Sequence, residues 1–69
     1  MKEILIQISR ILWTVPMMDK NIVIGLIGPL KTEQQAMKLL EYLQKNKDNK
    51  ELMRIDKLIN IRAKIMEEN

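Results

Sequence analysis

Ser9 is the only serine in this 69-residue chain, and neither histidine nor cysteine occurs anywhere in it. Nucleophilic catalysis needs a hydroxyl or thiol beside a base that takes its proton. With the usual base and the usual thiol both missing, Ser9 next to Arg10 reads as a serine on the polar face of an amphipathic segment. The carboxylates are dispersed. Asp19, Asp48 and Glu51 stand where helices are expected to open, and Glu67 and Glu68 follow the last apolar residue. No two acids project from facing apolar stripes, the arrangement that glycoside hydrolysis demands. Zinc and iron would lack their imidazole and thiolate ligands. The expectation is a non-enzymatic protein with no metal or cofactor site.

Three clusters are suited to binding rather than reaction. Counting about 100° per residue along a helix, Arg62 falls inside an apolar stripe made by Ile55, Ile59, Ile65 and Met66. A guanidinium there either snorkels to water or pairs with Glu33 of a neighbouring helix, or else it reaches an acceptor on another chain. Ile61 and Met53 lie off the stripe, so this segment carries more apolar surface than one neighbouring helix covers. The candidate interface is therefore Ile55, Ile59, Ile61, Arg62, Ile65 and Met66, with a protein partner or a second copy as its occupant.

The second cluster is Lys50, Arg54, Lys57 and Lys64, which share one side of a helix opened at Asp48 and are placed to contact nucleic-acid phosphates, although Glu68 shares that side. The third is Trp13 with Met17 and Met18, flanking Pro16. These side chains suit a binding surface, but a lone large ring in an aliphatic chain is expected to plug the end of the core.

The elements that must carry these residues differ in clarity. Thr32-Glu33-Gln34-Gln35 matches a capping box, and Ala36, Leu39, Leu40 and Leu43 then recur at helical spacing, predicting a helix from about Glu33 to Asn46. Asp48-Asn49-Lys50-Glu51 matches a second box, followed by Leu52, Ile55, Leu58, Ile59, Ile65 and Met66. A connection as short as Asn46–Asp48 makes the two helices antiparallel neighbours.

Residues 3–8 and 22–27 are ambiguous. Ile4, Leu5, Ile8, Ile11 and Leu12 fit a helical face, yet Ile4, Ile6 and Ile8 also alternate as a strand does. The length of the pattern favours a helix ended by Pro16. Residues 17–28 fit a short helix with Asp19 as N-cap and Gly28 as C-cap, or a buried strand over Ile22–Ile27. The Gly25-Leu26-Ile27-Gly28 spacing resembles a phosphate-gripping loop, but Leu and Ile stand where such a loop carries a basic residue.

Composition bounds the rest. Hydrophobic residues make up 46% and charged residues 30%, a globular balance. The net charge of +3 divides as four basic and two acidic groups over residues 1–31, against eight and seven over 32–69, so no charged arm stands out. A chain this short buries little core, and without cysteine or histidine the remaining support is association or tight helix packing. No apolar run approaches the roughly 20 residues of a membrane span, and a soluble, cytoplasmic protein is expected.

Together these readings predict a single small domain over 1–69, divided into apolar N-terminal segments (1–31) and a helical hairpin (32–69). The expected fold is all-α, a bundle of three to four helices with a C-terminal antiparallel hairpin; the alternative is α+β, with two N-terminal strands packed on that hairpin. The expected function is a protein–protein interaction or regulatory domain that self-associates through the hairpin, with a small nucleic-acid-binding regulator as the alternative.

Overall fold

The computed structural model describes residues 1–68 and contains four helices: α1 (Lys2–Leu12), α2 (Lys20–Ile27), α3 (Glu33–Asn46) and α4 (Ile55–Glu67). Among the described residues there is no strand, so the α+β alternative is set aside. The isoleucine alternation in α1 is incidental. Ile8 and Leu12, four apart, are fully buried, with Ile4, Leu5 and Ile11 packed beside them, while Ile6 faces out. A strand would have put Ile4, Ile6 and Ile8 on one face.

Local chemistry sets both ends of α2 and the start of α3. The Asp19 carboxylate accepts from the Ile22 amide at 2.9 Å and opens α2. Gly28 closes it with right-handed backbone, and its need for glycine is steric: a Cβ there would lie 2.7 Å from the Ile24 carbonyl oxygen. Pro29 follows immediately. In α3 the capping box forms as expected. Thr32 Oγ1 accepts from the Gln35 amide at 3.1 Å, and Gln35 Oε1 accepts from the Lys31 and Thr32 amides at 2.8 and 3.3 Å. These bonds let Gln35 be buried as a polar residue without cost from unmet acceptors.

The start of α4 departs from the sequence reading. Among the described residues Asp48 accepts no capping bond; Asn49 does, its Oδ1 accepting from the Leu52 amide at 3.0 Å, and it opens only one irregular turn. Arg54 is extended (φ −67°, ψ 148°), and the helix begins at Ile55. The physical reason is Met53. On a helix continuous from Asn49, Met53 would stand about 140° from Leu58 and face solvent. The break at Arg54 turns it inward, where it is 6% exposed. Burial of such a side chain is worth roughly 1.5–3 kcal/mol. The link between α3 and α4 is therefore residues 47–54, longer than the expected Asn46–Asp48.

One apolar core joins all four helices, with Ile8, Leu12, Leu26, Leu39, Leu43 and Leu58 fully buried. The Lys38 ammonium bonds Glu68 at 2.7 Å, and the Tyr42 hydroxyl bonds the Leu52 carbonyl at 2.9 Å. Those contacts at opposite ends run α4 antiparallel to α3. The more extensive neighbour of α3 is nevertheless α1. The Met1 nitrogen lies 3.9 Å from the Glu33 carboxylate, placing the starts of α1 and α3 side by side. No helix among the described residues is long and apolar enough to cross a membrane.

Candidate functional site

The turn after α1 and the link before α4 meet at one end of the bundle. After Leu12 the chain descends through consecutive turns, with the Thr14 and Val15 amides bonded to the Ile11 and Leu12 carbonyls. It then reaches Met17, whose φ of 68° lies in the left-handed region. An L residue is held there at about 1–2 kcal/mol, and Met17 is 88% exposed, so its side chain recovers nothing from the core. The turn and the link enclose a groove of about 1030 Å³. Val15, Pro16 and Met17 form one wall, Met53 and Ile55 the other, and Lys47, Asp48, Lys50, Arg54 and Asp56 the polar rim.

The rim charges are unequal in availability. Arg54 is held by Glu51 and Asp56, each at 3.2 Å. Lys47 and Lys50 form no ion pair among the described residues. No group of histidine, cysteine, aspartate and glutamate suited to a metal occurs among the described residues.

The candidate interface on α4 is only partly open. Ile65 is 6% exposed and belongs to the core, so it is withdrawn as an interface residue. Ile55, Ile61 and Met66 are half-buried against the same core, and Ile59, at 42%, is the one exposed isoleucine of α4. Arg62 is half-buried and does not pair with Glu33; its Nε is buried with no acceptor among the described residues. Ile55, Ile59, Arg62 and Met66 follow one another at spacings of four, three and four, a continuous seam along one flank of α4. Ile55 belongs to both this seam and the groove, so the two surfaces are contiguous. Met53, which sequence alone placed among the surplus apolar residues, is core.

The cationic cluster does not assemble as expected. Lys50 lies in the link and Arg54 is the extended residue before α4, so the four cations do not share a helix face. Lys57 and Lys64 remain on α4, seven residues apart and on one side. Gly25 sits inside α2 rather than in a loop.

Trp13 does not plug the core; it is 53% exposed. Leu12 and, just beyond the helix, Val15 are the buried side chains there, and Trp13 lies about 100° around the helix from Leu12. The outer face of α1 is a shallow depression of about 560 Å³ lined by Lys2, Leu5, Ile6, Ser9, Arg10 and Trp13, with Met1 at its end. Ser9 donates to the Leu5 carbonyl at 2.9 Å, so its hydroxyl is already bonded to the helix backbone. In sequence this face looks polar, because Gln7, Ser9 and Arg10 stand between Ile6 and Trp13. The seven-residue spacing of Ile6 and Trp13 was the available signal.

No protein-family model, curated protein or solved structure matches the chain.

Proposed function

We propose that the protein is a small, non-enzymatic interaction domain whose groove and contiguous α4 seam receive an apolar helix from a protein partner. The observation that carries this reading is Met17, held in left-handed backbone at the mouth of a groove walled by Val15, Met53 and Ile55. Backbone strain concentrates where a binding surface is presented. Methionine is the side chain that best adapts to a partner's shape. The seam spacing of Ile55, Ile59, Arg62 and Met66 suits ridges of an incoming helix. Arg62 supplies a cation for a carboxylate or carbonyl at the centre of that seam. The absence of histidine and cysteine from the sequence supports the non-enzymatic part.

The nucleic-acid alternative has weaker support, since Arg54 is neutralised by two carboxylates and only Lys57 and Lys64 share a face. If it held, affinity for generic duplex DNA would fall steeply with salt.

The test is affinity capture with the immobilised chain, comparing wild type with Ile59→Asp and Met17→Asp. Both residues are exposed, so the helical circular-dichroism signal is expected to stay unchanged. A specific partner identified by mass spectrometry is expected to bind wild type and be lost with either variant. Equal retention by all three proteins would remove the groove and seam from consideration.

A further inference from the structure

We propose that a second copy of the chain docks on the outer face of α1, the two α1 helices lying antiparallel about a two-fold axis that passes between Ile6 and Ser9. This surface is separate from the groove and does not depend on it.

Lys2, Ile6, Ser9 and Trp13 fall within about 60° of arc on α1. Ile6 is 42% exposed and Trp13 53% exposed. α1 therefore has two apolar faces: one buried through Ile8 and Leu12, and one that no other helix among the described residues covers. Ser9, bonded inward to Leu5, leaves a dip between the Ile6 and Trp13 ridges.

A two-fold interface must be complementary to itself, and this face is. With residue i opposite residue 15 − i, Ile6 of each copy sits over the Ser9 dip of the other. The same register places each Lys2 ammonium over the other copy's Trp13 ring, a favourable cation–π arrangement. Glu3 and Arg10 share one flank of the helix, seven residues apart, and neither forms an ion pair among the described residues. In the antiparallel pair they lie opposite each other with an axial offset of about 3 Å, within side-chain reach. Large meets small, cation meets ring and acid meets base in one register. A bilayer surface would reward neither the Ser9 dip nor the flanking Glu3, so the second copy is the better-matched occupant. A 69-residue chain with no disulfide also gains support from such burial.

Sedimentation equilibrium over a dilution series tests the proposal. Wild type is expected to approach twice the 8.2 kDa chain mass as concentration rises. Trp13→Glu is expected to remain at the chain mass throughout with its helical signal intact. Glu3→Lys and Arg10→Glu are each expected to raise the dissociation constant roughly tenfold, by losing two rim ion pairs and gaining like-charge contacts. Mixed together, the two charge variants are expected to recover wild-type affinity, because each supplies what the other lacks. Ile59→Asp is expected to leave the dimer unchanged, which separates this face from the α4 seam.

A monomeric wild type, or a mixture of charge variants no tighter than either alone, would overturn the two-fold pairing. So would co-sedimentation of monomeric wild type with vesicles containing anionic lipid, abolished by Trp13→Glu, since that outcome assigns the face to a bilayer.

Discussion

The Tyr42 hydroxyl donates a 2.9 Å hydrogen bond to the Leu52 carbonyl, tying the middle of α3 to the irregular turn that precedes α4. The turn frees that carbonyl from helical pairing, and the bond holds the strand of chain that turns Met53 inward. Burial raises the Tyr42 pKa above its ordinary value of 10.0. A folded-state pKa above the unfolded one means that the neutral phenol's stabilisation is complete below about pH 10 and is lost as pH rises through the folded value. Tyr42→Phe is expected to cost about 1 kcal/mol at neutral pH. The wild-type advantage over Tyr42→Phe should shrink in urea titrations above pH 10, and a constant difference across that range would refute the assignment.

Thr32→Ala removes the side-chain acceptor for the Gln35 amide and is expected to destabilise the fold by about 1 kcal/mol. Asp48→Ala is expected to change stability by less than about 0.5 kcal/mol, the range of ordinary surface positions, because Asn49 and not Asp48 accepts from Leu52. Thermal melts of the two variants side by side check the position of the cap.

Gly25 and Gly28 lie three residues apart but predict opposite signs. Nothing lies within 4 Å of a Cβ built on Gly25, so Gly25→Ala should stabilise α2 by roughly 0.5–1 kcal/mol. At Gly28 the new Cβ would meet the Ile24 carbonyl oxygen at 2.7 Å, so Gly28→Ala should destabilise by about 1–3 kcal/mol. Chemical denaturation midpoints report both.

Met17→Gly relieves left-handed strain of about 1–2 kcal/mol and adds unfolded-state freedom worth roughly 0.5–1 kcal/mol against it. The net expectation is a modest rise in stability. It should be accompanied by weaker partner capture, because the exposed thioether is gone. A variant that is less stable than wild type would show that Met17 supports the turn rather than the groove.

Much of the fold is legible where the determinants are local. The capping box of α3, its Ala36–Leu43 stripe and the Asp19 cap of α2 each depend on residues three or four apart, and each appears as read. Residues 3–8 and 22–27 were ambiguous because isoleucine satisfies both periods, and packing on α3 and α4 resolves them as helix. The start of α4 misled because Asp48-Asn49-Lys50-Glu51 resembles a cap locally, while the burial of Met53 against a distant core outweighs a longer helix.

The same division holds for the candidate sites. Residue types alone removed histidine and thiol chemistry, and spacing alone placed Arg62 in an apolar stripe. Which side chains of that stripe stay open was decided by how α4 packs on the rest of the bundle, which buries Ile65 and leaves Ile59 exposed. Likewise, the type of Trp13 was given by the chain, but its exposure followed from which face of α1 met α3. Hydrogen bonds between near neighbours are written in sequence order; burial is a property of elements far apart in the chain, and it takes its value only when they meet.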